Sequence, residues 1–266
     1  MTNRHSTAWV KRIAVTVAAT ASLGMVNTAM ADVFSDYQNN LNALQSMFQN
    51  KGKLPLFSDK ANAAIIRNLT DQKQLQRINF SDDATAVGAM QGPCAISGQL
   101  TLLYLGQGID FAHADRAQIA NKLNENGYRY QDEVSASQSF ATACMGKAIP
   151  VLAQGLQEAS SHTLSAEQKA NISKFRASTV SIITGVLEAS KDANIKPANR
   201  EKLLQSLATA MPNLISPLPL NTRLQLKAAA DEAKASIPAQ QKHYLNDISR
   251  SIETAACTNA CQLIVD

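Results

Sequence analysis

Aromatic side chains are scarce in this 266-residue sequence, at 5%, and its one tryptophan, Trp9, sits near the amino terminus. Without aromatics interleaved among basic residues there is no stacking platform for bases, so nucleic acid is not an expected partner. Glycine and proline are sparse as well, at 11 and 8 residues, and 45% hydrophobic against 17% charged residues excludes a disordered or collagen-like chain. The local signatures of common catalytic machinery are missing: there is no HExxH, GxSxG, GxxxxGKS/T or GxGxxG, and no serine is followed three residues later by lysine. Four histidines leave few parts for general acid–base or metal chemistry, and no cofactor is expected.

What is present begins with an export signal. Arg4, Lys11 and Arg12 open the chain with positive charge, Ile13 to Val26 carry none, and Ala29-Met30-Ala31 gives a small-x-small pattern before Asp32. Residues 1–31 therefore read as a signal peptide, and the processed chain is expected to be periplasmic or secreted. No cysteine lies near the cleavage point to carry a lipid. The segment holds three of the 25 basic residues and none of the 21 acidic ones, so the remaining 235 residues carry a formal charge of +1 instead of +4. That near-neutrality removes the electrostatic reason to invoke a polyanionic partner.

Past the signal the composition favours helices, and no convincing strand emerges. Phe34, Tyr37, Leu41, Leu44 and Phe48 recur at steps of three and four, which puts them on one face of a helix ending near Gly52. Ser165 with Gln168 forms a capping-box start for a helix whose stripe is Ile172, Phe175, Thr179, Ile182 and Val186, reinforced by Ile183 and Leu187. Pro197 suits a first turn, with Leu203, Leu204, Leu207 and Met211 on the buried side until Pro212, Pro217 and Pro219 stop the helix and open a long irregular connection. Thr222 with Gln225 starts the next helix, running to about Ser236, and Pro238 opens one in which Leu245, Ile248 and Ile252 share a face. The expected fold is all-α: a multi-helix antiparallel bundle with an N-terminal helical region over 32–160 and a C-terminal one over 161–266, packed together as one domain. The weak boundary between them lies near Ser160-Ser161-His162-Thr163.

The middle of the chain is apolar. From Ala84 to Ile109 no residue is charged, long enough by helix rise to span a bilayer, yet its Gln, Ser and Thr residues, Pro93 and glycines such as Gly88, Gly92, Gly98 and Gly106 argue for a buried central helix instead. That helix is expected from Gly92-Pro93 to Leu105, ended by Gly106-Gln107-Gly108. A second apolar stretch, Phe140 to Leu156, contains Pro150, where a kink or boundary is expected. Between them Asp115 to Leu123 reads as a short helix and Asn124 to Gly127 as a surface turn.

The four cysteines, Cys94, Cys144, Cys257 and Cys261, are the candidate disulfide set in an oxidising compartment, with three possible pairings. Cys94 and Cys144 lie in the two apolar stretches that should pack together, so a bridge between them comes first. The remaining pair, four residues apart, requires the Thr258-Asn259 region to leave helical geometry; otherwise crossed pairings are preferable. Smaller clusters carry bland readings beside sharp ones. His243 and Asp247 have the spacing of two metal ligands, and equally of a surface pair. Asp115 beside His113, and Asp82-Asp83 after Ser81, read as helix caps. Tyr128-Arg129-Tyr130 could form a recognition loop or pack in the core.

Three functions are consistent with this pattern. The first is an exported binding or structural module that engages a protein partner. The second is a carrier of a lipid or other apolar small molecule in a cavity between helices, with the 84–109 segment lining it. The third is an enzyme whose site gathers His113, His162 or His243 with carboxylates from distant helices. Membrane insertion is not expected.

Overall fold

The computed structural model describes residues 31–80, 83–159, 164–257 and 259–262. The expected signal segment 1–31, apart from Ala31, and the expected boundary at 160–163, including His162, lie outside them. Among the described residues there is no strand, and helices pack as a bundle: α1 (Ala31–Lys51), α2 (Ala63–Thr70), α3 (Asp83–Ala89), α4 (Ala95–Leu105), α5 (Arg116–Arg129), α6 (Gln131–Ala159), α7 (Ala166–Lys191), α8 (Pro197–Leu214), α9 (Leu220–Ser236), α10 (Lys242–Thr254) and the single turn α11 (Asn259–Gln262). None of them is long and apolar enough to cross a membrane.

Helix α6 is the hub, because α2, α3, α4, α5 and α8 all pack on it. Its sequence explains the role: Val134, Phe140, Cys144, Ala148 and Ile149 are buried, and small residues between them let neighbours approach. At the α6–α8 crossing Gly146 lies so close to Ala210 that a Cβ there would stand 2.7 Å from the Ala210 Cβ. The uncharged segment is the expected buried central helix, with Leu100, Tyr104 and Leu105 of α4 fully buried. Each such side chain contributes about 1.5–3 kcal/mol of transfer free energy. Tyr37 of α1 reaches it too, its hydroxyl 3.3 Å from the Pro93 carbonyl and 3.4 Å from the Ser97 hydroxyl.

The amino-terminal turn of α6 fastens two loops. Glu133 Oε1 accepts the Phe57 N–H at 2.7 Å, Gln131 Oε1 accepts the Lys196 N–H at 2.7 Å, and Asp132 takes the Lys196 ammonium and the Asn199 amide, each at 2.7 Å. Near the other end of the chain, the Arg223 guanidinium is buried and donates to the carbonyls of Leu218, Ser216, Ala255 and Ala256.

Several local expectations need correcting. The stretch Asn124 to Gly127 is not a surface turn, since α5 runs on to Arg129 and Asn126 is buried. Its amide donates to the Leu105 and Gln107 carbonyls at 2.7 and 2.8 Å and so caps the end of α4. Gly92-Pro93 is a kink between two helices instead of a start: Met90–Cys94 form a π-helical turn in which Gly92 leaves helical geometry at φ −92° and ψ −108°. Helix α6 continues through Pro150, and α8 through Pro212 to Leu214, leaving only residues 215–219 before α9. The latter helix starts at Leu220, behind Pro219, and not at Thr222.

A candidate ligand cleft between three helices

Helix α7 packs on α8 and α9, not closely on α4 or α6, and the gap left between them is an apolar cleft of about 260 Å³. Its origin is visible on α7. The apolar arc expected as a core face is wider than one interface covers: Ile172, Thr179, Ile183 and Leu187 are buried, while Phe175 and Ile182 are only half-buried and face the cleft. The opposite walls come from the uncharged segment, with Met90, Cys94, Ala95, Gly98 and Thr101, and from α6, with Ala141, Thr142 and Met145. Thr101 and Thr142 return their hydroxyls to their own helix, bonding the Ser97 and Gln138 carbonyls at 3.3 and 2.8 Å, so both present methyl groups instead of donors.

Two polar groups stand out in this lining. Among the described residues Lys174 is its one charged side chain, exposed near the start of α7 beside Asn171, which also lines the cleft. Gln138, on α6, has its Oε1 buried with no hydrogen-bond partner, an acceptor that a ligand donor would satisfy. Two other hollows, one bordered by Asn39, Asn40, Asn68 and Gln74 and one by Gln205, Asp247 and Arg250, are lined by hydrated polar groups and offer little apolar area to a ligand.

The cysteines pair as first expected. Cys94 joins Cys144 with Cα atoms 5.5 Å apart, and Cys257 joins Cys261 at 5.3 Å. The first bridge ties a wall residue of the cleft to α6, fixing the spacing between two of its walls. The departure from helix lies at Ala255 to Cys257 and not at Asn259, which opens α11; Thr258 lies outside the described residues.

The remaining candidates do not converge on the cleft. His113 Nδ1 meets Asp110 Oδ2 at 2.8 Å with both side chains largely exposed. Asp115 caps α5 in a full capping box with Gln118. His243 Nδ1 faces the Gln240 carbonyl at 2.9 Å, and Asp247 pairs with Arg250 at 3.4 Å, so the four-residue spacing brings no shared ligand site. Among the described residues no three His, Cys, Asp or Glu side chains gather as metal ligands. Tyr128 and Tyr130 pack inward instead of forming a recognition loop: Tyr130 is buried and stacks near Tyr104, and the Tyr128 hydroxyl donates to Asp192 at 2.7 Å. The residues that sequence reasoning missed are those of the α7 wall, because a half-buried Phe175 and a fully buried one carry the same helical period. No family model, curated protein or solved structure matches this chain.

Proposed function

We propose that this chain is an exported helical binding protein that holds an apolar small molecule in the cleft between α4, α6 and α7. The supporting observation is the cleft itself, walled mainly by apolar side chains, with one unpartnered acceptor at Gln138 and, among the described residues, one charge at its edge. Such a surface gains free energy when an apolar ligand displaces its water, at about 25 cal/mol per Å² covered. Met90 and Met145, on the two walls joined by the Cys94–Cys144 bridge, add adaptable side chains suited to a ligand of variable shape. The two disulfides fit residence in an oxidising compartment, where the signal segment would deliver the chain.

The test is displacement of an environment-sensitive fluorescent apolar probe. The wild-type protein binds the probe saturably, and Ala141→Trp, which fills the cleft from the α6 wall, abolishes binding while the helical circular dichroism is retained. Equal probe binding by both proteins overturns the assignment.

A protein partner is the second reading, and a specific feature favours it. Leu220 and Leu224, 60% and 68% exposed, lie four residues apart on α9 and form an outward apolar pair. Two side chains fall well short of the roughly 800 Å² per partner of a standard interface, so the ligand reading takes precedence. Retention of a partner by wild type but not by Leu220→Lys/Leu224→Lys would reverse that order.

A further inference from the structure

We infer that the ligand of the cleft is an anionic amphiphile with a single medium-length hydrocarbon chain, its acid group seated at Lys174; the inference rests on the binding function proposed above. Charge is the first argument. Among the described residues Lys174 is the one charged side chain lining the cleft, and no carboxylate accompanies it there. Among the described residues it makes no ion pair, so its ammonium is available to a ligand. An apolar trough with a cation at its edge rejects a cationic head and gains from an anionic one.

Shape is the second argument. On α7 the wall runs from Lys174 through Phe175, Ile182 and Val186, and those twelve residues of helix rise make a trough roughly 18 Å long. The charge lies one turn from the end of the wall marked by Asn171, and Phe175, Ile182 and Val186 continue away from it with Ser178 and Ser181 between them. A volume of about 260 Å³ holds roughly nine water-sized groups at about 30 Å³ each, which suits a chain of about ten carbons. An extended chain with a terminal carboxylate, sulfate or phosphate monoester satisfies both conditions. The shared requirement is the anionic head, and the source of the chain is left to the ligand series.

The experiment measures displacement of the apolar probe by decanoate, decyl sulfate and 1-decanol from the full processed chain. The expected order is both anions ahead of the alcohol, with the advantage shrinking as salt rises because Lys174 is exposed. Lys174→Gln weakens the anions about three- to fivefold and leaves 1-decanol within about twofold, the scale of an exposed ion pair. Lys174→Glu weakens the anions further and again spares the alcohol. Because Lys174 is on the surface, neither change disturbs the core.

Three results overturn the inference. If 1-decanol and decanoate compete equally, and Ala141→Trp still abolishes both, the cleft binds apolar chains without regard to charge. If 1-decanol binds more tightly and Gln138→Leu removes it, the head belongs at Gln138. If none of the three displaces the probe and Ala141→Trp has no effect, the cleft assignment falls along with the inference.

Discussion

At the scale of single residues, one close helix crossing is set by an absent side chain. Gly146 of α6 meets Ala210 of α8, and a methyl group added there would stand 2.7 Å from the Ala210 Cβ and 3.1 Å from its Cα. The Gly146 carbonyl also accepts the Asn213 amide at 2.7 Å, so the helices cannot separate without loosening that bond. Gly146→Ala gains up to about 1 kcal/mol of helix propensity but incurs overpacking of about 1–3 kcal/mol, for an expected net loss of about 1–2 kcal/mol. Thermal unfolding should show a decrease of several degrees, and adding Ala210→Gly should recover part of it. A Gly146→Ala protein as stable as wild type would show that this crossing is looser than described.

Two adjacent carboxylates give stability a pH dependence of opposite sign. Glu133 is buried, and that burial raises its carboxyl above the usual 4.5, despite the opposing bond from the Phe57 N–H. The folded state therefore holds this proton more tightly than the unfolded chain, and the stability it contributes is lost as pH rises from 4.5 through the elevated value. Burial works the same way on neighbouring Asp132, but its bonds to Lys196 and Asn199 prevail and hold the carboxyl below the usual 3.8. Its contribution is present above 3.8 and lost as pH falls through the lowered value. Glu133→Gln keeps an acceptor for the Phe57 N–H and removes the charge, so its melting temperature should exceed that of wild type at pH 7 and converge with it near pH 4. Parallel pH profiles for the two proteins would show that Glu133 does not govern this window.

At the scale of elements, most helices were legible where a local device marks an end. The Ser165 and Gln168 capping box starts α7, Pro197 occupies the first turn of α8, and Gly52, at φ +59°, follows the end of α1. Where tertiary contacts decide, the sequence misleads. Asn124 to Gly127 carries turn chemistry, yet Asn126 is claimed by the carbonyls at the end of α4, and the helix is drawn through it. Pro212 looks like a stop, but the last turn of α8 tolerates it, with Leu214 and Ile215 buried beyond it. The 84–109 wall of the cleft was legible, but the α7 wall was not, for a related reason: it arises from α7 packing on α8 and α9 and away from α4 and α6, and periodicity cannot say which neighbour an apolar stripe will choose.

The two disulfides differ in what they restrain. Cys94–Cys144 closes a loop 50 residues apart in sequence and joins α4 to the hub helix, whereas Cys257–Cys261 closes one of 4. By loop entropy the first stabilises by about 4 kcal/mol and the second by about 2. Urea unfolding of Cys94→Ala/Cys144→Ala and Cys257→Ala/Cys261→Ala should rank in that order. Probe binding should weaken only in the first pair, which releases a cleft wall. Equal losses from the two pairs would mean that loop entropy is not the controlling contribution.

For the whole molecule, the buried cluster draws on α1 at Tyr37 and on α10 at Ile252, so helices from both ends of the bundle's sequence order join the same apolar interior, with the single turn α11 beyond them. Within that interior Cys144 is fully buried and Cys94 nearly so. Such thiols pair where the chain folds under oxidising conditions, which links the export signal proposed for residues 1–31 to the stability of the product. A chain starting at Asp32 and made in a reducing cytosol should alkylate at all four cysteines in denaturant. The same chain led by residues 1–31 into an oxidising compartment should alkylate at none and unfold at higher urea. A leader-bearing chain that stays in the cytosol with four free thiols would remove export from the proposed function, while the cleft, which depends on the packing of α7, would still be open to the ligand series.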